Sequence, residues 1–247
     1  MTNTVYWMKV DSSQAPLETQ GYLSLLELQK LSTFRFPKRR DEWLLGRWTA
    51  KALAHSLPNY SHYHLDQIEI RNTPEGAPYI QLPGDTKPAG CLAISHSNHF
   101  ALCALSPGLN LRIGVDLEKI ETRTETFILD YFTPAERRLV DAYPAETRSI
   151  LVTLIWSAKE SMLKALGVGL RWDTRSVEIS GLDGIQHAQD IPGKWRMIQV
   201  GEQIGSTRAW AAWWQCQGQF ILTLAGFAAT PAGIQSTRLI EQQIEKK

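Results

Sequence analysis

Cysteine is scarce in this 247-residue sequence: there are three, Cys91, Cys103 and Cys216, odd in number, widely spaced and without a CxxC pair. That disfavours a disulfide framework and a zinc site, and it fits a reducing compartment. An excess of one charge sign is missing as well. Lys and Arg number 26, Asp and Glu 25, for a formal net charge of +1. No global field therefore advertises nucleic acid or an anionic membrane as partner. No apolar run approaches membrane-spanning length, and the N-terminus shows no basic-then-apolar signal pattern. The Gly-x-Ser-x-Gly elbow of many hydrolases is also absent. The expectation is a cytoplasmic protein that takes neither nucleic acid nor membrane as partner.

What is present is the composition of an ordered globular chain, 43% hydrophobic and 21% charged. The length allows one large domain or two small ones. Val5–Val10 reads as a strand, 22–33 and 39–56 as helices, and 67–71, 78–82, 91–95 and 100–105 as extended runs punctuated by Pro74, Gly76, Pro83, Gly84 and Gly108. After Pro107–Leu111 the plan restarts: a strand over 112–118, helices over 134–143 and 149–166, then strands over 176–179, 195–200, 210–215 and 220–227. Thr133-Pro134-Ala135-Glu136 is a helix start, with Thr as cap and Glu three residues on, and Gly167 is a stop. The fold class predicted is α+β, with two similar subdomains related by approximate twofold symmetry. They span 1–111 and 112–230 and are followed by a polar tail over 231–247. No residue-level repeat is visible, so the repeat rests on element order alone.

Two short segments carry the chemistry. In Gly114-Val115-Asp116-Leu117-Glu118-Lys119, residues two apart on a strand share a side, so Asp116 and Glu118 face one cleft while Val115 and Leu117 face the core. In Trp156 to Gly167, residues four apart on a helix share a face, so Glu160 and Lys164 project together. Each taken alone is an ordinary solvated surface. Together, three carboxylates and an ammonium suit a hard divalent cation holding a phosphate ester. Ser95-His96-Ser97 lies between two apolar runs and reads as a polar turn able to meet phosphate oxygens. A Ser–His nucleophilic pair is disfavoured there, because neighbours on a strand point to opposite sides. Arg71 opens a loop, and Lys30, Arg35, Lys38, Arg39, Arg40, Arg47 and Lys51 crowd the first half. His62 and His64 lack a third metal ligand.

At these residues the sequence resembles the 4′-phosphopantetheinyl transferases, specifically the larger monomeric type that activates peptide synthetases and polyketide or fatty-acid carrier proteins. Ile94-Ser95-His96-Ser97 is similar to that family's N-I-S-H-S turn. Ile113 to Lys119 is similar to its G-I-D-I-E-K strand, and Trp156 to Leu170 to its W-x-x-K-E-A-x-x-K-A-x-G-x-G-L helix. Lys38 to Arg47 matches its N-terminal segment less specifically. The resemblance implies an active site between two similar α+β subdomains, with coenzyme A as donor and Mg²⁺ as metal. It implies Asp116, Glu118 and Glu160 as metal ligands, and catalytic roles for Glu160, Lys164 and Asp116. It further implies that Arg71, Ser95, His96 and Lys164, with Arg40 and Arg47, contact the coenzyme's phosphates. The partners would be apo acyl or peptidyl carrier proteins, and the enzyme, of the holo-[carrier-protein] synthase type, would be a monomer. One departure stands out: the family's Gly-Lys-Pro is Gly76-Ala77-Pro78 here.

Two other readings compete. A metal-dependent nuclease also gathers carboxylates beside a lysine, but it calls for an extended basic surface that a net charge of +1 does not supply. A coenzyme-binding protein that has lost turnover would show damage at the acidic set, and Asp116, Glu118, Glu160 and Lys164 are all present.

Overall fold

The computed structural model describes residues 3–108, 111–185, 194–201, 209–228 and 237–244. They divide into two compact units, one of residues 2–109 with 237–247, the other of residues 110–236. Each has its own hydrophobic core.

In the first unit, the alternating run Thr4–Asp11 forms β1, and a Ser24-capped helix α1 (Leu25–Leu31) follows. The long helix α2 (Pro37–His55) starts with Pro in its first turn, where a missing N–H costs nothing. Four strands come next: β2 (Glu69–Asn72), β3 (Pro78–Gln81), β4 (Cys91–Ser97) and β5 (Phe100–Ser106). β5 runs antiparallel between β1 and β4, while β2 and β3 form a separate antiparallel pair.

The second unit opens with β6 (Leu111–Lys119). Helices α3 (Glu125–Tyr131), α4 (Pro134–Asp141) and α5 (Arg148–Leu166) follow, then β7 (Ile179–Leu182), β8 (Arg196–Val200), β9 (Ala209–Gln217) and β10 (Phe220–Ala228). Its five-stranded sheet has the order β6-β10-β9-β8-β7, every pairing antiparallel. α5 ends at Gly167, whose φ of 74° is the left-handed cap glycine accepts without strain. The α+β class read from the sequence is borne out.

Three expectations need correction. The segment 176–179 is a 3-10 turn (Thr174–Ser176) leading into β7, not a strand. Helix α3 was not foreseen; Thr124 caps it, accepting from Phe127 N at 3.1 Å. The polar tail contributes a strand, β11 (Arg238–Glu241), which pairs in parallel with β1, Thr4 opposite Arg238 and Trp7 opposite Glu241. The unpaired N–H and C=O groups along the edge of β1 are what this strand satisfies. Tail residues 231–236 and 245–247 lie outside the described residues.

The two units repeat one plan, and the repeat reaches individual side chains. In the first, Ser24 caps α1, and Glu27 returns a bond to Ser24 N. Glu27 also accepts from Ile70 N at 3.1 Å and pairs with buried Lys51 of α2 at 2.6 Å. In the second, Thr133 caps α4, and Glu136 accepts from Thr133 N, from Ile179 N at 2.9 Å and from buried Lys159 of α5 at 2.8 and 2.5 Å. Lys51 stands between Glu27 and Ile70 at nearly the intervals that separate Lys159 from Glu136 and Ile179. Trp48 and Trp156 each precede the lysine by one helical turn. A capping box is legible in sequence, but a shared buried counter-ion is not, which is why the repeat read from element order showed no residue-level counterpart.

α5 lies directly on β6. A Cβ built on Gly114 would stand 2.0 Å from Ser161 O and 2.5 Å from Ala165 N, both backbone atoms that cannot swing aside. Gly114→Ala is therefore expected to destabilise the protein by about 3 kcal/mol, lowering the thermal midpoint by roughly 6–12 °C. An unchanged midpoint in calorimetry would show that the helix is not held at this distance.

Candidate active site

Gly114, Asp116 and Glu118 share one face of β6, and α5 covers it. Thr223 of β10, the register partner of Asp116, bonds the Ser157 hydroxyl at 2.9 Å and donates to Ser157 O at 2.9 Å. The stripe Trp156, Glu160, Lys164 thus runs along the acidic strand. Asp116 is 3% exposed, which rules out a solvated strand face for it.

Lys164 Nζ lies 2.6 Å from Asp116 Oδ1 and 3.6 Å from Glu160 Oε2. Glu118 turns to other donors: Trp156 Nε1 at 3.3 Å and the Arg123 guanidinium at 3.2 Å. Arg123 also holds Glu121 at 2.9 Å and stacks over Phe127. Phe127 and Tyr131 pack edge-on against Trp156.

The electrostatics follow from this crowding. Burial, then the neighbouring Asp116 charge, pushes the Glu118 carboxyl up to about 7; Arg123 pulls it down, and Glu160 adds a further upward push. Burial raises the Glu160 carboxyl as well, with Lys164 opposing and Asp116 reinforcing the shift. Burial works to strip Lys164 of its proton, but attraction to Asp116 and Glu160 outweighs it and holds the ammonium above the usual lysine value.

The sequence reading expected Asp116, Glu118 and Glu160 to form a three-carboxylate metal set. The structure brings them into one electrostatic neighbourhood. Among the described residues, however, no group of three or more His, Cys, Asp or Glu is arranged to hold a metal ion. The reason is visible: Lys164 takes the place between Asp116 and Glu160, and Glu118 is turned towards Trp156 and Arg123. The donor chemistry nonetheless fits a hard cation, since three oxygen ligands whose charges oppose one another are what such an ion relieves.

The other expected residues belong to the first unit. Ser95, His96 and Ser97 are strand, not turn; the two-residue hairpin loop is Asn98-His99, with φ of 46° and 70°. Ser95 is buried and His96 exposed, so they face opposite sides of β4. His96 Nδ1 is 3.9 Å from Glu42. Arg40 is exposed beside Asp41, and Arg71 is exposed and bonded to Glu69. Arg47 is buried instead of presented: it donates to Asn72 Oδ1 at 2.9 Å, lies 3.7 Å from Glu27 and stacks on Trp43. Burial lowers its proton affinity. At the Ala77 departure, Thr73 N bonds Ala77 O at 2.9 Å, closing the loop without a lysine.

Sequence reasoning missed Arg123, the Trp156 indole N–H and the Glu136–Lys159 pair. Arg123 sits in an aperiodic stretch, and Trp156 reads as one more apolar helix position, so neither carried a signal.

Residues 112–225 match the profile of the 4′-phosphopantetheinyl transferase superfamily. By this segment, just under half of its length, the chain is similar to members of that superfamily. It is 27% identical over 177 residues to the 4′-phosphopantetheinyl transferase HetI of Nostoc sp., covering 69% of this chain and 71% of that one. It is 32% identical over 95 residues to a 4′-phosphopantetheinyl transferase of Bacillus subtilis, over 38% of this chain and 39% of that one. The match thus spans under half of the Bacillus relative. Among solved structures, a holo-[acyl-carrier-protein] synthase of Thermotoga maritima overlaps 48% of this chain and 63% of its own, with TM-score 0.35 and 19% identity. A likeness that low carries no argument.

Between its ordinary 4.5 and about 7, Glu118 keeps a proton in the folded protein that the unfolded chain has lost. Its contribution to stability is therefore greatest below that window and is lost as pH rises through it. Without added metal, the thermal midpoint at about pH 8 is expected to fall below that at about pH 5.5 by more in the wild type than in Glu118→Gln. Identical slopes in the two proteins would show that Glu118 is not strained by its neighbours.

Proposed function

We propose that the protein transfers the 4′-phosphopantetheine arm of coenzyme A to a serine of apo acyl or peptidyl carrier proteins, in a Mg²⁺-dependent reaction that releases adenosine 3′,5′-bisphosphate. One observation carries this reading: the Asp116–Lys164–Glu160 contact with Glu118 beside it, inside the segment that matches the superfamily. Such a centre suits a phosphoanhydride, whose charge grows as the bond to the leaving group breaks.

Asp116, Glu118 and Glu160 would hold the metal, and the ion, when bound, supplies neutralisation of phosphate oxygens. Lys164, released from Asp116, turns its ammonium to the phosphate under attack. Glu160, whose burial raises its proton affinity, takes the serine proton as the hydroxyl oxygen bonds to phosphorus. The exposed side chains of Arg40, Arg71 and His96, with Ser95, are proposed contacts for the coenzyme's phosphates. Buried Arg47 supports that region from within, through Asn72 and Glu27. Three widely spaced cysteines with no CxxC pair accord with a cytoplasmic enzyme, and we take it to act as a monomer.

Intact-mass analysis of an apo carrier protein, incubated with this protein, coenzyme A and Mg²⁺, tests the reading. The expected outcome is a gain of one phosphopantetheine arm, reduced at least about 100-fold in rate by Glu160→Ala and abolished by EDTA. No gain on several unrelated carriers, despite measurable coenzyme binding, would sink it in favour of a binding protein.

A further inference from the structure

Glu160 sits on a helix whose rotation must be fixed by something. α5 meets β6 at Gly114, within 2.0 Å of where a Cβ would stand, which sets the depth of the helix; Ser157 and Thr223 tie it to β10 on that side, and a second tie on another face is what completes the restraint on its rotation. A carboxylate about 6 Å from a helix axis moves roughly 2 Å when the helix turns by about 20°. A reacting group tolerates only about 0.5 Å. Trp156, Glu160 and Lys164 form the stripe facing the acidic strand. Lys159 points about 100° away around the helix.

There Lys159 is fully buried against Glu136, 2.8 and 2.5 Å from its two oxygens. The same carboxylate accepts from Thr133 N at 2.8 Å and from Ile179 N at 2.9 Å. One side chain thus ties α5 to the first turn of α4 and the first residue of β7. An ion pair this deep adds little net stability over an apolar pair of equal volume, so stability alone does not account for it. The first unit holds the same device in Glu27, Lys51 and Ile70, with Ala52 and Ser56 standing where Glu160 and Lys164 stand in the second. The clamp exists without an acidic centre, so it is scaffold. Only in the second unit does it adjoin a carboxylate that must be placed.

We propose that Glu136 and Lys159 are positioning residues for phosphopantetheine transfer, fixing the rotation of α5 and through it the place of Glu160. This rests on the transferase reading. Neither group touches the reacting atoms.

The double variant Glu136→Gln/Lys159→Met removes both charges and keeps the cap, because Gln also serves at that helix position. It is expected to melt within about 5 °C of wild type, with KM for coenzyme A within about two-fold and kcat at least about ten-fold lower. Mn²⁺ affinity, followed by electron paramagnetic resonance, should weaken about ten-fold, independently of turnover. Lys51→Met, the same lesion in the first unit, should lower the midpoint yet leave kcat within about two-fold. If the double variant fails to fold, Glu136→Asp keeps the charge, shortens the reach and should lower kcat at unchanged KM. A kcat at wild-type level in the double variant, or an equal loss in Lys51→Met, would overturn the positioning role while leaving the transferase reading intact. A wild type that modifies no carrier would overturn that reading, and this inference with it.

Discussion

Three carboxylates withdrawn from water in one neighbourhood cannot all stay ionised without a compensating cation, and the second unit is arranged around that constraint. Lys164 meets it for Asp116 and Glu160, Arg123 for Glu118. Where compensation is partial the cost shows as raised proton affinity, at Glu118 and Glu160. An arrangement whose like charges cost stability is the kind that a cation and an anionic substrate would turn to use. Structural ion pairs do not need three like charges.

The constraint is met by packing, not by flexible surface side chains. Gly114 lets α5 approach β6 backbone to backbone, and Ser157 and Thr223 lock the helix to β10 at the level of Asp116. Trp156 then contributes its indole N–H to Glu118 and its ring to an aromatic cluster with Phe127 and Tyr131. The other unit uses the same plan without the acids. There the equivalent helix carries a buried Arg47 and Lys51 around one carboxylate, Glu27. One architecture therefore carries two charge patterns: carboxylates around Lys164 in one unit, a cation-rich network around Glu27 in the other.

Much of this was legible in the sequence, and what was hidden has a common cause. Periodicity placed Asp116 with Glu118 and Glu160 with Lys164, because spacing of two on a strand and four on a helix are local facts. It could not show that both faces of β6 are buried, nor that Lys164 would point at Asp116 before any phosphate. The Lys159–Glu136 pair joins residues far apart in the chain, and the side-chain correspondence it adds to the repeat could only be seen once both carboxylates were located. Ser95 to Ser97 was misplaced onto a turn because Asn98-His99, without glycine, gave a weak hairpin signal, although Asn tolerates positive φ. The tail strand β11 was missed since four residues, Arg238 to Glu241, gain their structure from the edge of β1 and not from themselves.

On the proposed reading, Lys164 occupies a place that a metal would take during turnover. The most direct test is a crystal structure with Mn²⁺ and coenzyme A, the metal located by its anomalous signal. The account predicts Lys164 Nζ withdrawn from Asp116 Oδ1 onto a phosphate oxygen, with the metal bound by Asp116, Glu118 and Glu160. Lys164 still 2.6 Å from Asp116, with the metal elsewhere or absent, would contradict it.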